Sequence, residues 1–127
     1  MKRIQRTRTK NWRMPENAVS VTRPGKWGNP MRVIDGMIHI RTEPESKLWE
    51  VLCKGDLELM LRIYRYMLFL PVEIDAELKE HTAVYAWRQH YKQVDFSELF
   101  DKDLACFCPL GNPCHGNILI EKVEKLN

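Results

Sequence analysis

The sequence predicts an α/β fold, a single small domain in which a mixed sheet is flanked by helices. Short strand-like runs alternate with amphipathic stretches of helical period, the pattern of strands separated by helices. At 127 residues the chain has the length of one domain, enough to close a core without a mandatory staple. A hydrophobic fraction of 44% beside a charged fraction of 29% excludes a disordered chain.

Each element has its own signal. Ala18-Val19-Ser20-Val21 alternates like a strand and runs into the turn residues Thr22-Arg23-Pro24-Gly25. Met31 to Ile34 and Met37 to Ile40 flank Asp35-Gly36, the best short hairpin signal in the chain. Pro44 to Lys54 places Leu48, Val51 and Leu52 at helical spacing, which predicts a helix ending near Gly55. Asp56 to Leu70 puts Leu57, Met60, Leu61, Tyr64, Met67 and Leu68 on one broad face, with Pro71 as the stop. Asp75 to Val94 is expected to be a third helix, with Leu78, Val84, Tyr85 and Tyr91 among its apolar residues, and Asp95 to Lys102 a short turn or loop. The run Asp103-Leu104-Ala105-Cys106-Phe107-Cys108 has strand length. After it, Asn112 and Pro113 suit the cap and first position of a last helix, with Ile118, Leu119, Val123 and Leu126 as its buried stripe.

The net charge of +3 hides an asymmetry. Lys2, Arg3, Arg6, Arg8, Lys10 and Arg13 give residues 1–13 six cations and no acid, so the expected organisation is a basic arm followed by an α/β domain over residues 14–127. Six cations with Trp12 at the end suit phosphate contacts plus one stacking surface; a solvated terminus is the plainer alternative. No apolar run approaches 18 residues, which excludes a membrane-spanning helix, and the basic start lacks the apolar middle of a secretory signal. A cytoplasmic location is expected, and there cysteines read as thiols or metal ligands before they read as disulfides.

The informative cysteines are Cys106, Cys108 and Cys114, the last followed by His115. Three readings of the cluster compete. All four residues are a ligand set that zinc accepts, although adjacent ligands strain one tetrahedron. Cys114 in the first turn of a helix, beside His115, has the surroundings that lower a thiol pKa and make a nucleophile. In the third, Cys106 and Cys108 are small buried hydrophobes and only the helix terminus matters. Cys53 reads as filler, and His39, His81 and His90 have no partner at a telling spacing.

Two segments together resemble a known family. Arg23-Pro24-Gly25-Lys26-Trp27-Gly28-Asn29-Pro30 is similar to its N-terminal signature. Asp103-Leu104-Ala105-Cys106-Phe107-Cys108-Pro109, with Pro113-Cys114-His115-Gly116-Asn117-Ile118-Leu119, is similar to its C-terminal one. The family is domain of unknown function 4326, a set of small bacterial and phage proteins. The resemblance implies a single-domain α/β protein and leaves the reaction open. Thr22 and Gly25 depart from its pattern, and the stretch from Pro71 to Phe100 is longer.

The loop after the first strand and the loop before Cys114 are both expected at carboxyl ends of strands, where α/β sheets place ligands. Arg23 can clamp a phosphate, Trp27 can stack on a base and Asn29 can meet a base edge; with Lys26 they form the expected substrate-binding set. A core role for Trp27 is the alternative. The leading expectation is a small nucleotide- or nucleobase-handling enzyme, a transferase or hydrolase, with Cys114 as nucleophile or anion-site residue and His115 as acid–base partner. Its rivals are a zinc-stabilised nucleic-acid-binding module and a phage protein that binds and inhibits a host factor. A nucleotide or nucleic acid is the expected partner, and zinc the one cofactor that the residues suggest.

Overall fold

The computed structural model describes residues 1–69 and 71–126, and it is an α/β protein. Its strands are shared between two three-stranded sheets, one parallel and one antiparallel, each belonging to its own compact unit.

The first unit comprises residues 1–29 and 95–127. Its sheet joins β1 (Arg3–Gln5), β2 (Ala18–Ser20) and β6 (Asp103–Cys106), all parallel, with β6 in the middle. A central parallel strand is covered on both faces, and Leu104, Ala105 and Cys106 are accordingly all buried. Arg3 pairs with Leu104 on one side and Val19 with Leu104 on the other. The cationic start therefore contains a strand. The helix α4 (His115–Leu126) packs on β6 and β1 through Ile118, Leu119 and Val123, whereas Leu126, expected in that stripe, is half exposed. A 3-10 turn at Ser97–Leu99 buries Leu99.

The second unit, residues 30–94, holds β3 (Met31–Ile34), β4 (Met37–Arg41) and β5 (Trp49–Lys54) in an antiparallel sheet with β4 central. Asp35 and Gly36 both have positive φ, 51° and 75°, as the tight hairpin between β3 and β4 requires. The helix expected between Pro44 and Lys54 is instead the strand β5. Leu48 and Val51 are 71% and 52% exposed, so the helical spacing of these apolar residues marks no buried face. Trp49 and Val51 favour extended backbone, and β4 pairs with them at Arg41 and His39, with one register shift beside Leu52. This pairing is tertiary and invisible to periodicity.

Helix α1 (Leu57–Leu68) begins where Asp56 accepts the Leu59 N–H at 3.0 Å and buries Met60, Ile63, Tyr64, Met67 and Leu68 on one face; Leu57 stays partly exposed. The expected end of this helix at Leu70 lies outside the described residues. The single helix expected over Asp75 to Val94 is two, α2 (Ala76–Glu80) and α3 (Thr82–Gln93). His81 separates them in extended backbone and caps α3, its Nδ1 accepting the Ala83 N–H at 3.1 Å. Val84, Trp87 and Tyr91 are the buried residues of α3, Tyr91 meeting Tyr64 of α1 edge-on; Tyr85 faces solvent. No helix among the described residues is long and apolar enough to cross a membrane.

Two substitutions calibrate this account by denaturant unfolding. Leu104→Ala, in the fully buried central strand, is expected to cost about 3 kcal/mol. Asp56→Ala, which removes only a helix cap, is expected to cost about 1 kcal/mol.

Candidate metal centre

The site is built at the carboxyl end of β6, entirely within the first unit. Cys106 closes the strand, the chain turns through Phe107, and the Cys108 Sγ returns to 3.6 Å from the Cys106 Sγ. Arg3 holds this turn: its guanidinium donates to the Cys108 and Pro109 carbonyls at 2.7 and 2.6 Å, while the rest of the residue is buried. A cation is used here as a clamp for backbone oxygens that have left the sheet.

Cys114 and His115 bring the other half. The helix starts two residues later than Asn112 and Pro113 predict, so Cys114 itself takes the cap position, its Sγ accepting the Gly116 N–H at 3.4 Å. His115 is the first helical residue. A cap and a first-turn residue project differently from the backbone, and this lets adjacent residues converge: the Cys114 Sγ lies 3.8 Å from the His115 Nδ1. The ligand atoms of Cys106, Cys114 and His115 all lie within 4.8 Å of one another.

The histidine tautomer follows from its neighbours. Nε2 lies 2.9 Å from the Val21 carbonyl and 3.1 Å from the Trp27 carbonyl. Carbonyls only accept, so Nε2 carries the proton and donates, and the Nδ1 lone pair is left toward the thiols. Burial in this position holds the imidazole pKa below its ordinary value and keeps the ring neutral. The fit beside it is tight: a Cβ on Gly116 would stand 3.1 Å from the Arg3 side chain, which would have to shift by a few tenths of an ångström.

Among the thiols, negative charge settles on Cys106. Its pKa falls well below the thiol range, chiefly because the Cys114 S–H donates to it, with help from the Cys108 N–H and against the cost of burial. Cys114 is raised, both by holding that proton for Cys106 and by burial, and burial also raises Cys108. The expectation of a lowered pKa at Cys114 is thus corrected. Its favourable contact with the Gly116 N–H is outweighed by these two effects.

The Trp27 loop and the Cys114 loop do meet, through the His115 ring. Their expected substrate-binding residues divide. Trp27 is 3% exposed, tilted against Phe96 at 5.4 Å, with its indole N–H donated to Glu98. Asn29 is buried as well. Arg23 and Lys26 are on the surface, and Lys26 pairs with Glu98 at 3.4 Å. Gly28 is needed because any Cβ there would come within 2.9 Å of the Arg23 backbone.

The structure adds a surface that motif reading passes over. The Arg8 and Arg6 guanidinium carbons lie 4.3 and 4.8 Å from the centre of the Phe107 ring, and Arg6 also lies 5.8 Å from that of Trp12. The ring belongs to the residue between Cys106 and Cys108. The available signal was Arg6 and Arg8 two apart on an extended segment, the same spacing as the two cysteines.

The chain matches the family model described as "Domain of unknown function (DUF4326)" over residues 4–125, and it belongs to that family. No curated protein and no solved structure matches it.

His115→Ala in metal-free protein is expected to cost about 3 kcal/mol, because it leaves two buried carbonyls without a donor. Denaturant unfolding in the presence of a chelator checks this. A loss below about 1 kcal/mol would show that the ring does not carry these bonds.

Proposed function

We propose that the protein is a zinc-stabilised nucleic-acid-binding module. The observation that carries this is the position of Phe107: flanked in sequence by two thiol donors, with two guanidinium groups on its ring. Donor cluster and cationic surface share one turn of chain.

Cys106, Cys108, Cys114 and the Nδ1 of His115 are the residues that would hold the ion. With Zn–S bonds of about 2.3 Å, two thiolates of a tetrahedron lie about 3.8 Å apart, and a thiolate and an imidazole nitrogen about 3.6 Å. The corresponding separations here are 3.6 Å for Cys106 and Cys108 and 3.8 Å for Cys114 and His115. Three thiols and a histidine suit zinc, and the His115 N–H bonded to backbone carbonyls is the outer support that ligating histidines use. Were all four to bind, no open position would remain, and the ion would supply cross-linking of the turn to α4 rather than Lewis-acid chemistry.

Charge supports the second half. The first unit has eleven basic and seven acidic side chains, a net charge of +4, and the second unit has nine and ten, a net of −1. Among the described residues none of Lys2, Arg3, Arg6, Arg8, Lys10 and Arg13 forms an ion pair with a carboxylate. Arg6 and Arg8, brought together on the Phe107 ring without an acid, suit a polyphosphate backbone. The enzyme reading is weaker: Cys114 and His115 are 4% and 5% exposed, and Trp27 and Asn29 are buried, which suits ligands and packing better than nucleophile and substrate contacts.

Untagged protein is expected to retain about one zinc per chain, and chelation is expected to lower Tm by about 10 °C or more. Cys108→Ser should lose the ion while Cys53→Ser keeps it. Binding to mixed-sequence nucleic acid should weaken with salt, log affinity against log salt having a slope of about −3. Full stability in chelator with no metal retained would refute the first half; salt-independent binding, or none, would refute the second.

A further inference from the structure

The rim of the proposed module has a feature that phosphate binding alone does not require. Phe107 is only partly buried, and so is Trp12; Arg6 touches both rings and Arg8 touches the first. Aromatic and guanidinium groups therefore alternate along one surface strip, Trp12, Arg6, Phe107, Arg8. We propose that this strip is a stacking platform for single-stranded nucleic acid, an inference that rests on the nucleic-acid reading above.

The members of the strip are held to different degrees. Arg6 is fixed, its Nη1 donating to the Ser20 and Thr22 hydroxyls at 3.0 Å each, and its backbone N–H donating to the Cys106 carbonyl at 2.8 Å. Phe107 is fixed by the turn, which the Arg3 guanidinium clamps at Cys108 and Pro109. Arg8 is exposed and touches the Phe107 ring with no hydrogen bond or ion pair of its side chain among the described residues. An incoming base can displace the Arg8 head from the ring and take its place on the π-face, while the guanidinium turns to the adjacent phosphate. Arg6 remains beneath as the fixed cation. Both guanidinium groups thus serve a strand whose bases are free.

Duplex DNA or RNA offers the same phosphates with its base faces already stacked on one another. Cations alone would serve it, and the two rings would contribute nothing. Stacking is available to every base, since each has a π-face, and the strip presents cations and rings in place of amides or carboxylates that would read base edges. Weak sequence preference is the consequence.

The test uses the whole 127-residue chain as purified and fluorescence anisotropy of three labelled probes: a fifteen-nucleotide oligo-dT, the corresponding oligo-U, and a fifteen-base-pair DNA duplex, all at one moderate salt concentration. A single strand, DNA or RNA, is expected to bind about tenfold more tightly than the duplex. Phe107→Leu, which keeps the apolar volume and removes the ring, is expected to weaken single-strand binding about tenfold and duplex binding less than about twofold. Trp12→Leu, outside the metal-binding turn, should weaken the same single-strand binding severalfold, so a folding defect at Phe107 does not decide the outcome. A difference between the DNA and RNA strands identifies the preferred sugar and supports the inference equally. Equal affinity for single strand and duplex, unchanged by either variant, would overturn the platform and leave the broader reading standing. Absence of binding to all three probes would overturn both.

Discussion

The first unit depends on the hydrogen bonds of one buried ring. His115 Nε2 meets the carbonyl of Val21, just past β2, and that of Trp27, inside the following loop. Both carbonyls have left the parallel sheet, both are shut away from water, and neither can donate. The proton must therefore sit on Nε2, and the ring must stay neutral with its Nδ1 lone pair toward the thiols. One constraint thus joins β2, the Trp27 loop and the start of α4, and at the same time leaves the Nδ1 facing the Cys114 thiol. The glycines nearby follow from it. Gly28 lets the loop close on the Arg23 backbone, and Gly116 lets α4 come against Arg3 and Val21.

The thiols answer to the same geometry. Three sulfurs packed together cannot all ionise cheaply, and their pKa values move apart, lowered at Cys106 and raised at Cys108 and Cys114. In the proposed site a metal ion would remove this conflict by neutralising the clustered free thiols. The surface above is cationic for a compatible reason. Arg3 is spent inward on carbonyls, Arg6 on hydroxyls, and the charge of neither is cancelled by a carboxylate.

What was legible in the sequence was local. Asp35-Gly36 announces its hairpin because two positive φ values favour those residue types, and Asp56 announces α1 because a cap precedes a clean apolar stripe. The cluster itself was legible from spacing, but spacing leaves open, among three readings, whether its members meet; the structure brings Cys106, Cys114 and His115 within 4.8 Å of one another and sets Cys108 against Cys106. What was not legible was tertiary. β5 shows helical spacing at Leu48, Val51 and Leu52, and only the open edge of β4 makes it a strand. β1 has one apolar residue in three and pairs with a strand about a hundred residues away. Trp27 reads equally as a stacking ring or a core anchor until Phe96 and Glu98 are seen beside it. His81 ends one helix and caps the next through its own side chain, a local competition that apolar period does not register.

X-ray absorption at the zinc edge of the untagged protein reads the proposed site, one zinc ion held by three thiolates and the Nδ1 of His115. Three sulfur neighbours at about 2.3 Å and one nitrogen at about 2.0 Å are expected, with the nitrogen lost in His115→Ala. A first shell of oxygen and nitrogen without sulfur, or one unchanged by His115→Ala, would contradict it.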